Sequence, residues 1–248
     1  MPECLQPMYD RGMIQIGDDP LLSFILINNH LIQLKETSDG SHTLYVPELD
    51  EHYHSIHGAV QESMFIFIMN GFDFCKADPV NLLEVGFGTG LNALLTAIKS
   101  MTGSRDVNYT SIEKYPLDNS IISSLNHYKF AGEDGREIYR RIHAAPWNTI
   151  VNICPNFNLK KAETDFTKTR LEGKYDLIFF DAFGPDKQPE MWTIEMFESI
   201  ASVTNNNGIL VTYSAKGEVK RNLKACGFEV TLLPGPPGKR QMIRAIKK

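Results

Sequence analysis

The sequence predicts an α/β protein with a mostly parallel sheet covered by helices on both faces. Three observations predict it. From Val80 onward, short apolar runs alternate with segments of helical periodicity, the pattern of strand–helix units. Two of the runs, 175–180 (YDLIFF) and 208–213 (GILVTY), are apolar at nearly every position, as strands buried on both faces must be. The stretch 82–92 (LLEVGFGTGLN) passes from an apolar strand through three alternate glycines into an amphipathic helix. Glycines at 86, 88 and 90 remove Cβ atoms, so the turn can adopt φ > 0 and a ligand can approach the backbone.

In chain order, the first 57 residues alternate in a β manner. Runs at 31–34 and 43–46 flank Ser38-Asp39-Gly40-Ser41, a good hairpin turn, so residues 1–57 are expected to form an N-terminal β extension. The remainder, 58–248, is expected to form the main domain. His52, His54 and His57 cluster around Tyr53 without a completing acid or cysteine, so a polar loop is favoured over a metal site. Residues 58–72 have helical spacing, with Glu62 and Ser63 interrupting the apolar surface. That interruption reads either as a solvated edge or as the mouth of a ligand site.

Strands are expected at 81–85, 107–113 and 175–180, with β structure around 151–153 and 158–162 in an otherwise irregular region 129–160. Helices are expected at 91–101, 193–204 and 216–226, the last closed by Gly227, and Pro116 is placed to start another. Strands at 208–213, 228–233 and 241–246 follow, the last two paired around a Pro-Gly-rich turn.

Bulk properties restrict the function. A 248-residue chain with 42% hydrophobic and 22% charged residues is that of an ordinary globular protein. No run is long and apolar enough to span a membrane, and the polar start does not resemble a signal peptide, so the expectation is a cytoplasmic protein without a membrane partner. Cys4, Cys75, Cys154 and Cys226 are scattered and read as reduced thiols rather than a disulfide framework or zinc site. A net charge of −5 lacks the basic footprint of a nucleic-acid binder, so any RNA must meet a local patch.

Ligands of open α/β sheets sit beyond the carboxyl ends of the strands, which singles out the polar residues there. Glu84 disfavours a phosphate and suits a cation, such as the amino group of S-adenosylmethionine (SAM). Glu113, followed by Lys114, ends the next strand, where it is placed to accept the ribose hydroxyls of a nucleoside cofactor. Asp165 suits an adenine amino group, with Glu163 a competitor and a surface role equally compatible. Asp181 ends the central strand and opens the run Ala182-Phe183-Gly184-Pro185, which packing does not explain. Trp192 is either a cap on the sheet or a stacking platform for a base. Tyr213 lies on the same rim, and Lys239 and Arg240 form the phosphate-contacting patch expected on an acidic protein.

Taken together, residues 84–92 (EVGFGTGLN), 112–117 (IEKYPL), 181–192 (DAFGPDKQPEMW), 212–214 (TYS) and 238–240 (GKR) resemble the MnmC-like methyltransferases of tRNA wobble-uridine modification, over most of the chain from about residue 50. The resemblance implies a Rossmann-like class I SAM-methyltransferase fold with a seven-stranded sheet ending in an antiparallel hairpin. It implies methylation of 5-aminomethyl-2-thiouridine at the tRNA wobble position to 5-methylaminomethyl-2-thiouridine. With no second dinucleotide-binding unit before Lys248, it is the stand-alone enzyme that is resembled, its amine made by a separate oxidase.

Residue by residue, Glu84, Gly86, Gly88, Gly90 and Asn92 match the first cofactor motif, Glu113 with Lys114 the ribose-binding step, and Asp165 the adenine-side acid. Asp181 matches the acid beside the reacting amine and is expected both as the catalytic residue and as a cofactor contact. Glu62, Phe183, Pro185, Trp192, Tyr213, Lys239 and Arg240 are the expected substrate contacts. Ala182, Gly184 and Gln188 depart from the family's commoner Gly, Ala and Asn, which bears on the substrate more than on methyl transfer. No metal is implied. A SAM-dependent methyltransferase of a small-molecule or protein amine, and a SAM-binding module that has lost catalysis, are the other readings.

Overall fold

A computed structural model describes residues 13–15, 23–27 and 30–248, with side chains from residue 32 onward; Cys4 and the rest of the expected N-terminal extension lie outside the described residues. The extension forms a five-stranded antiparallel sheet, β1 (Met13–Gln15), β2 (Ser23–Ile27), β3 (His30–Glu36), β4 (His42–Val46) and β5 (Glu51–His52), in sequential order. The predicted turn joins β3 to β4. Its Asp39 Oδ1 accepts from Ser41 N at 2.9 Å and from Thr37 Oγ1 at 2.8 Å, the local bonding that makes Asp a turn residue. Asp39 Oδ2 also accepts from Gln61 N at 2.9 Å, fastening this sheet to helix α1 (Ala59–Ser63).

Helix α1 widens into a π-helix over Met64–Phe72 that lies across the main sheet. A Cβ on Gly71 would stand 2.9 Å from Val211 and 3.0 Å from Phe179, so only glycine lets the helix approach the strands this closely.

The main sheet has eight strands: β6 (Val80–Val85), β7 (Val107–Glu113), β8 (Ile150–Cys154), β9 (Phe157–Glu163), β10 (Tyr175–Phe180), β11 (Thr204–Thr212), β12 (Phe228–Pro234) and β13 (Gln241–Lys247). Their order is β12-β13-β11-β10-β6-β7-β9-β8. The five central strands are parallel, and β13 and β12 form the expected antiparallel hairpin. Eight strands are one more than the seven the resemblance implies; β8, where β structure is expected at 151–153, is an antiparallel edge strand against β9. Along β10, Leu177 and Phe179 enter one apolar layer with Leu82, Tyr109 and Phe67, while Ile178 and Phe180 enter the other with Trp192 and Phe197. This two-sided burial explains the unbroken apolar run Leu177–Phe180.

Helices α2 (Leu91–Gly103), α5 (Ile194–Val203) and α6 (Gly217–Ala225) fall where periodicity places them, and Gly227 closes α6 at φ 82°. Two expectations are corrected. Region 129–160 contains a helix, α4 (Gly135–Ala144), whose buried Ile138, Tyr139 and Ile142 make a narrow stripe among charges. Pro116 does not start a helix, because α3 (Asn119–Ser124) begins after Asp118 and Pro116 instead borders the main cavity.

Candidate active site

Strand order reverses between β6 and β10: the chain proceeds from β6 outward through β7 and β9, then returns to β10 and proceeds the other way. At the carboxyl ends of these strands lies a cavity of about 840 Å³. The N-terminal sheet closes its outer side with Val46, Glu51 and Tyr53.

The glycine turn forms the floor. Gly86 has φ 96°, and a Cβ there would stand 2.5 Å from the carbonyl oxygen of Asp181, so β6 and β10 meet this tightly only through glycine. Asp181 N donates to Val85 O at 2.9 Å across the same contact. Gly88, at φ 48°, presents its N–H to Glu113 Oε2 at 3.0 Å and lies under the Tyr53 ring. Glu113 Oε1 accepts from Tyr115 N at 2.8 Å, so the carboxylate is clamped by two backbone donors while bordering the cavity. Burial raises its pKa and those backbone bonds oppose the rise.

Lys114 turns away from Glu113 and pairs with Asp165 at 3.0 Å. Asp165 also accepts from Thr167 N at 3.0 Å and Thr167 Oγ1 at 2.7 Å. The Thr167 hydroxyl, then Lys114, hold its pKa down at about 2. Asp165 borders the cavity and its competitor Glu163 does not.

Asp181 is half-buried in the cavity wall, its Oδ2 accepting from Asn92 Nδ2 at 2.8 Å. Burial, and then the charge of Glu62, push its pKa up to about 7, while Asn92 and Lys239 pull the other way. Glu62 Oε2 accepts from Ser55 N at 2.9 Å. Its Oε1 faces Lys239 Nζ at 2.8 Å as an ion pair lacking hydrogen-bond geometry. Lys239 Nζ also lies 4.9 Å above the ring of Tyr213, whose hydroxyl donates to Ala182 O at 2.8 Å. Phe183 stacks edge-on against Tyr53 at 5.0 Å.

The structure thus brings Gly86, Gly88, Asn92, Glu113, Lys114 and Asp165 to one part of the cavity. It brings Asp181, Phe183, Glu62, Tyr213 and Lys239 to the adjoining part. Five expected residues are elsewhere. Glu84 is fully buried beneath the turn, its Oε2 accepting from Ser111 Oγ at 2.6 Å, and burial first, with the Asp181 charge adding, raises its pKa to about 8. Gly90 lies against His143 below the floor, where a Cβ would stand 2.9 Å from the imidazole. Trp192 is 3% exposed, packs on Phe180 at 4.9 Å and donates to Phe183 O at 2.8 Å, which makes it the cap on the sheet. Pro185 borders a separate small depression beside Trp192, and Arg240 lies outside the cavity wall.

Sequence reasoning missed two residues. Tyr53 roofs the glycine turn, and half-buried His54 binds Thr89 Oγ1 at 2.7 Å, its pKa lowered to about 4 by desolvation. Their spacing among His52, Tyr53 and His54 suggested a polar loop. What it concealed is that the loop packs onto a motif 35 residues downstream.

The cavity wall suits SAM. Asn92 Oδ1 in the wall is a buried acceptor without a hydrogen-bond partner among the described residues. Such an acceptor calls for a ligand that brings a donor.

Comparison with known proteins agrees with that fit. A family model described as S-adenosyl-L-methionine-dependent methyltransferase matches residues 153–248. The tRNA 5-methylaminomethyl-2-thiouridine biosynthesis bifunctional protein MnmC of Cupriavidus necator is 30% identical over 215 residues, 80% of this chain and 32% of that protein. The Campylobacter hominis protein of the same name is 29% identical over 205 residues, 82% of this chain and 31% of that protein. The crystal structure of MnmC2 from Aquifex aeolicus superposes with a TM-score of 0.72 at 26% identity, covering 98% of this chain and 75% of that one. The chain is MnmC-like. It spans about a third of the length of these curated MnmC relatives. The MnmC-like architecture is Rossmann-like, and spermidine synthase from Thermotoga maritima shares the fold alone, with a TM-score of 0.57 at 13% identity.

Proposed function

We propose that this protein is a SAM-dependent N-methyltransferase that converts 5-aminomethyl-2-thiouridine at the tRNA wobble position to 5-methylaminomethyl-2-thiouridine. The observation that carries the reading is Asp181, held by Asn92 in the cavity wall at the switch point of an MnmC-like sheet.

Glu113 would hold the ribose hydroxyls of SAM, the Gly86–Gly88 backbone and Asn92 its amino-acid end, and Asp165 with Lys114 the adenine side. When bound, SAM supplies an electrophilic methyl group. The chain's own task concerns the acceptor. A primary alkylamine is mostly protonated at neutral pH, its pKa being close to the lysine value of about 10.4. Asp181, with a pKa of about 7, is ionised in a useful fraction at that pH and accepts the ammonium proton. Its bond from Asn92 fixes the carboxylate, so the freed lone pair is aimed rather than tumbling. Phe183, Tyr213 and Tyr53 exclude water from the same space.

The tRNA reading gives a cytoplasmic protein whose acceptor amine is made beforehand by a separate oxidase. RNA meets an acidic chain, so contact rests on the local cations at the rim, Lys114 and Lys187. The carboxylates of Glu51, Glu62 and Asp181 around the acceptor space favour a second reading, a small-molecule amine as acceptor. Methylation assayed on intact modified tRNA and on the free nucleoside, at two salt concentrations, separates them. A tRNA enzyme requires the whole tRNA and loses activity as salt rises; equal rates on the free nucleoside, insensitive to salt, support the small-molecule enzyme.

A further inference from the structure

Three distant parts of the chain converge beside Asp181: Glu62 from α1, Lys239 from the β12–β13 turn, and Tyr213 at the end of β11. Glu62 is 8% exposed, and a carboxylate so buried needs a cation beside it. One of its oxygens is tied to Ser55 N. The other makes no hydrogen bond, although Lys239 Nζ stands only 2.8 Å away. Lys239 is the more exposed partner, with 29% of its side chain accessible against 10% for Glu62, and its long stem leads out to a surface turn. The arrangement sets the more exposed, long-stemmed cation against a buried, tethered anion.

We propose that Glu62 and Lys239 form a cation-exchange element of the acceptor site, in which the Lys239 ammonium holds the place at Glu62 that the acceptor's ammonium takes on binding. This deepens the proposed function and rests on it. Removal of Lys239 without a replacement would leave the Glu62 and Asp181 carboxylates facing one another across the cavity. Lys239 therefore yields only to a second cation, and the site selects acceptors that arrive protonated. A neutral uridine side chain in the same tRNA cannot displace it. Once the acceptor is seated, its nitrogen–hydrogen bond breaks as an oxygen–hydrogen bond forms on Asp181, and Lys239 returns to Glu62.

The other groups around Asp181 do not supply this exchange. Asn92 on α2 is neutral, and Glu84 on β6 is buried below the floor. Tyr109 on β7 and Tyr213 just past β11 are held protonated, their pKa values raised by burial. Among the described residues, Lys239 is the cation whose charge acts on Asp181.

The test compares binding of two tRNAs, one carrying 5-aminomethyl-2-thiouridine and the same tRNA with 2-thiouridine, to wild type, Glu62→Gln and Lys239→Met. The affinity ratio is the readout, so phosphate contacts cancel. The proposal expects the ratio to fall about tenfold toward one in Glu62→Gln and to rise severalfold in Lys239→Met, which removes the competing cation. An unchanged ratio in Lys239→Met, with both tRNAs weakened alike, would overturn it and make Lys239 a phosphate contact. A carbon-13 carboxyl titration of Asp181 in the acceptor-free protein gives an independent arm. Asp181 is expected to titrate lower in Glu62→Gln and higher in Lys239→Met, and no shift in either would overturn the exchange. A wild-type ratio of one, with both carboxyl shifts present, would instead remove the aminomethyl acceptor and leave the charge coupling standing. If Glu62→Gln does not fold, Lys239→Met carries both arms alone.

Discussion

Asn92 Nδ2 donates to Asp181 Oδ2 at 2.8 Å, joining the first turn of α2 to the carboxyl end of β10. The two residues lie 89 positions apart, and the bond places the only acid at the end of the central strand directly over the glycine turn. Asp181 thereby borders the cavity together with Asn92 and Gly86.

Asp181→Asn keeps the size of the side chain and removes the proton acceptor. SAM binding measured by calorimetry is expected to stay within severalfold of wild type. Turnover is expected to fall by about 10²–10⁴, the usual contribution of a positioned acid–base group. Loss of SAM binding in parallel would make Asp181 a cofactor ligand rather than the proton acceptor.

The pH profile follows from the same group. Asp181 works in its ionised form, and its pKa lies at about 7. As pH falls through that value the carboxylate is protonated, so kcat/KM is expected to drop about tenfold per unit below it. A profile with its acid limb near pH 4 would contradict the raised pKa of Asp181 and leave its role to the Asp181→Asn measurement.

Gly86→Ala introduces a Cβ 2.5 Å from the Asp181 carbonyl oxygen at a residue with φ 96°. Neither the alanine backbone nor the neighbouring strand end accommodates this without moving. A stability loss of about 1–3 kcal/mol is expected by denaturant unfolding, together with weaker SAM binding.

In Glu113→Gln a single amide oxygen replaces two carboxylate oxygens that accept from Gly88 N and Tyr115 N. One backbone donor loses its partner and the turn loosens. SAM affinity is expected to fall about tenfold, or about 1.4 kcal/mol, with a smaller change in thermal midpoint. An unchanged affinity would remove Glu113 from the cofactor site.

Trp192→Phe leaves the Phe183 carbonyl without its indole donor in the interior. The expected result is a destabilisation of about 1–3 kcal/mol with little change in acceptor KM, because Trp192 does not border the cavity.

The fold was legible where burial and periodicity coincide. YDLIFF and the glycine turn each carry a pattern that one structure satisfies, and both fall at the centre of the sheet. Helix α4 was hidden because only Ile138, Tyr139 and Ile142 turn inward, and the charges between them dilute the stripe. At the site, position near a strand end was enough to put Glu113, Asp165 and Asp181 on the cavity wall, and it failed for Glu84, which is fully buried beneath it. Residues that reach the cavity through a turn were harder. Lys239 and Arg240 are adjacent in sequence, and only the turn geometry after β12 sends the first toward Glu62 and leaves the second outside. Trp192 had two readings, and its bond to Phe183 O decides between them. Tyr53 and His54 could not be placed, since what they touch lies beyond any local spacing.

The most direct test of the central claim is incubation of the purified protein with SAM and tRNA bearing 5-aminomethyl-2-thiouridine, followed by nucleoside mass spectrometry. The account predicts a gain of one methyl group on the wobble nucleoside, giving 5-methylaminomethyl-2-thiouridine, and its loss in Asp181→Asn. Unmodified wobble nucleoside with SAM demonstrably bound would contradict the assignment of this acceptor.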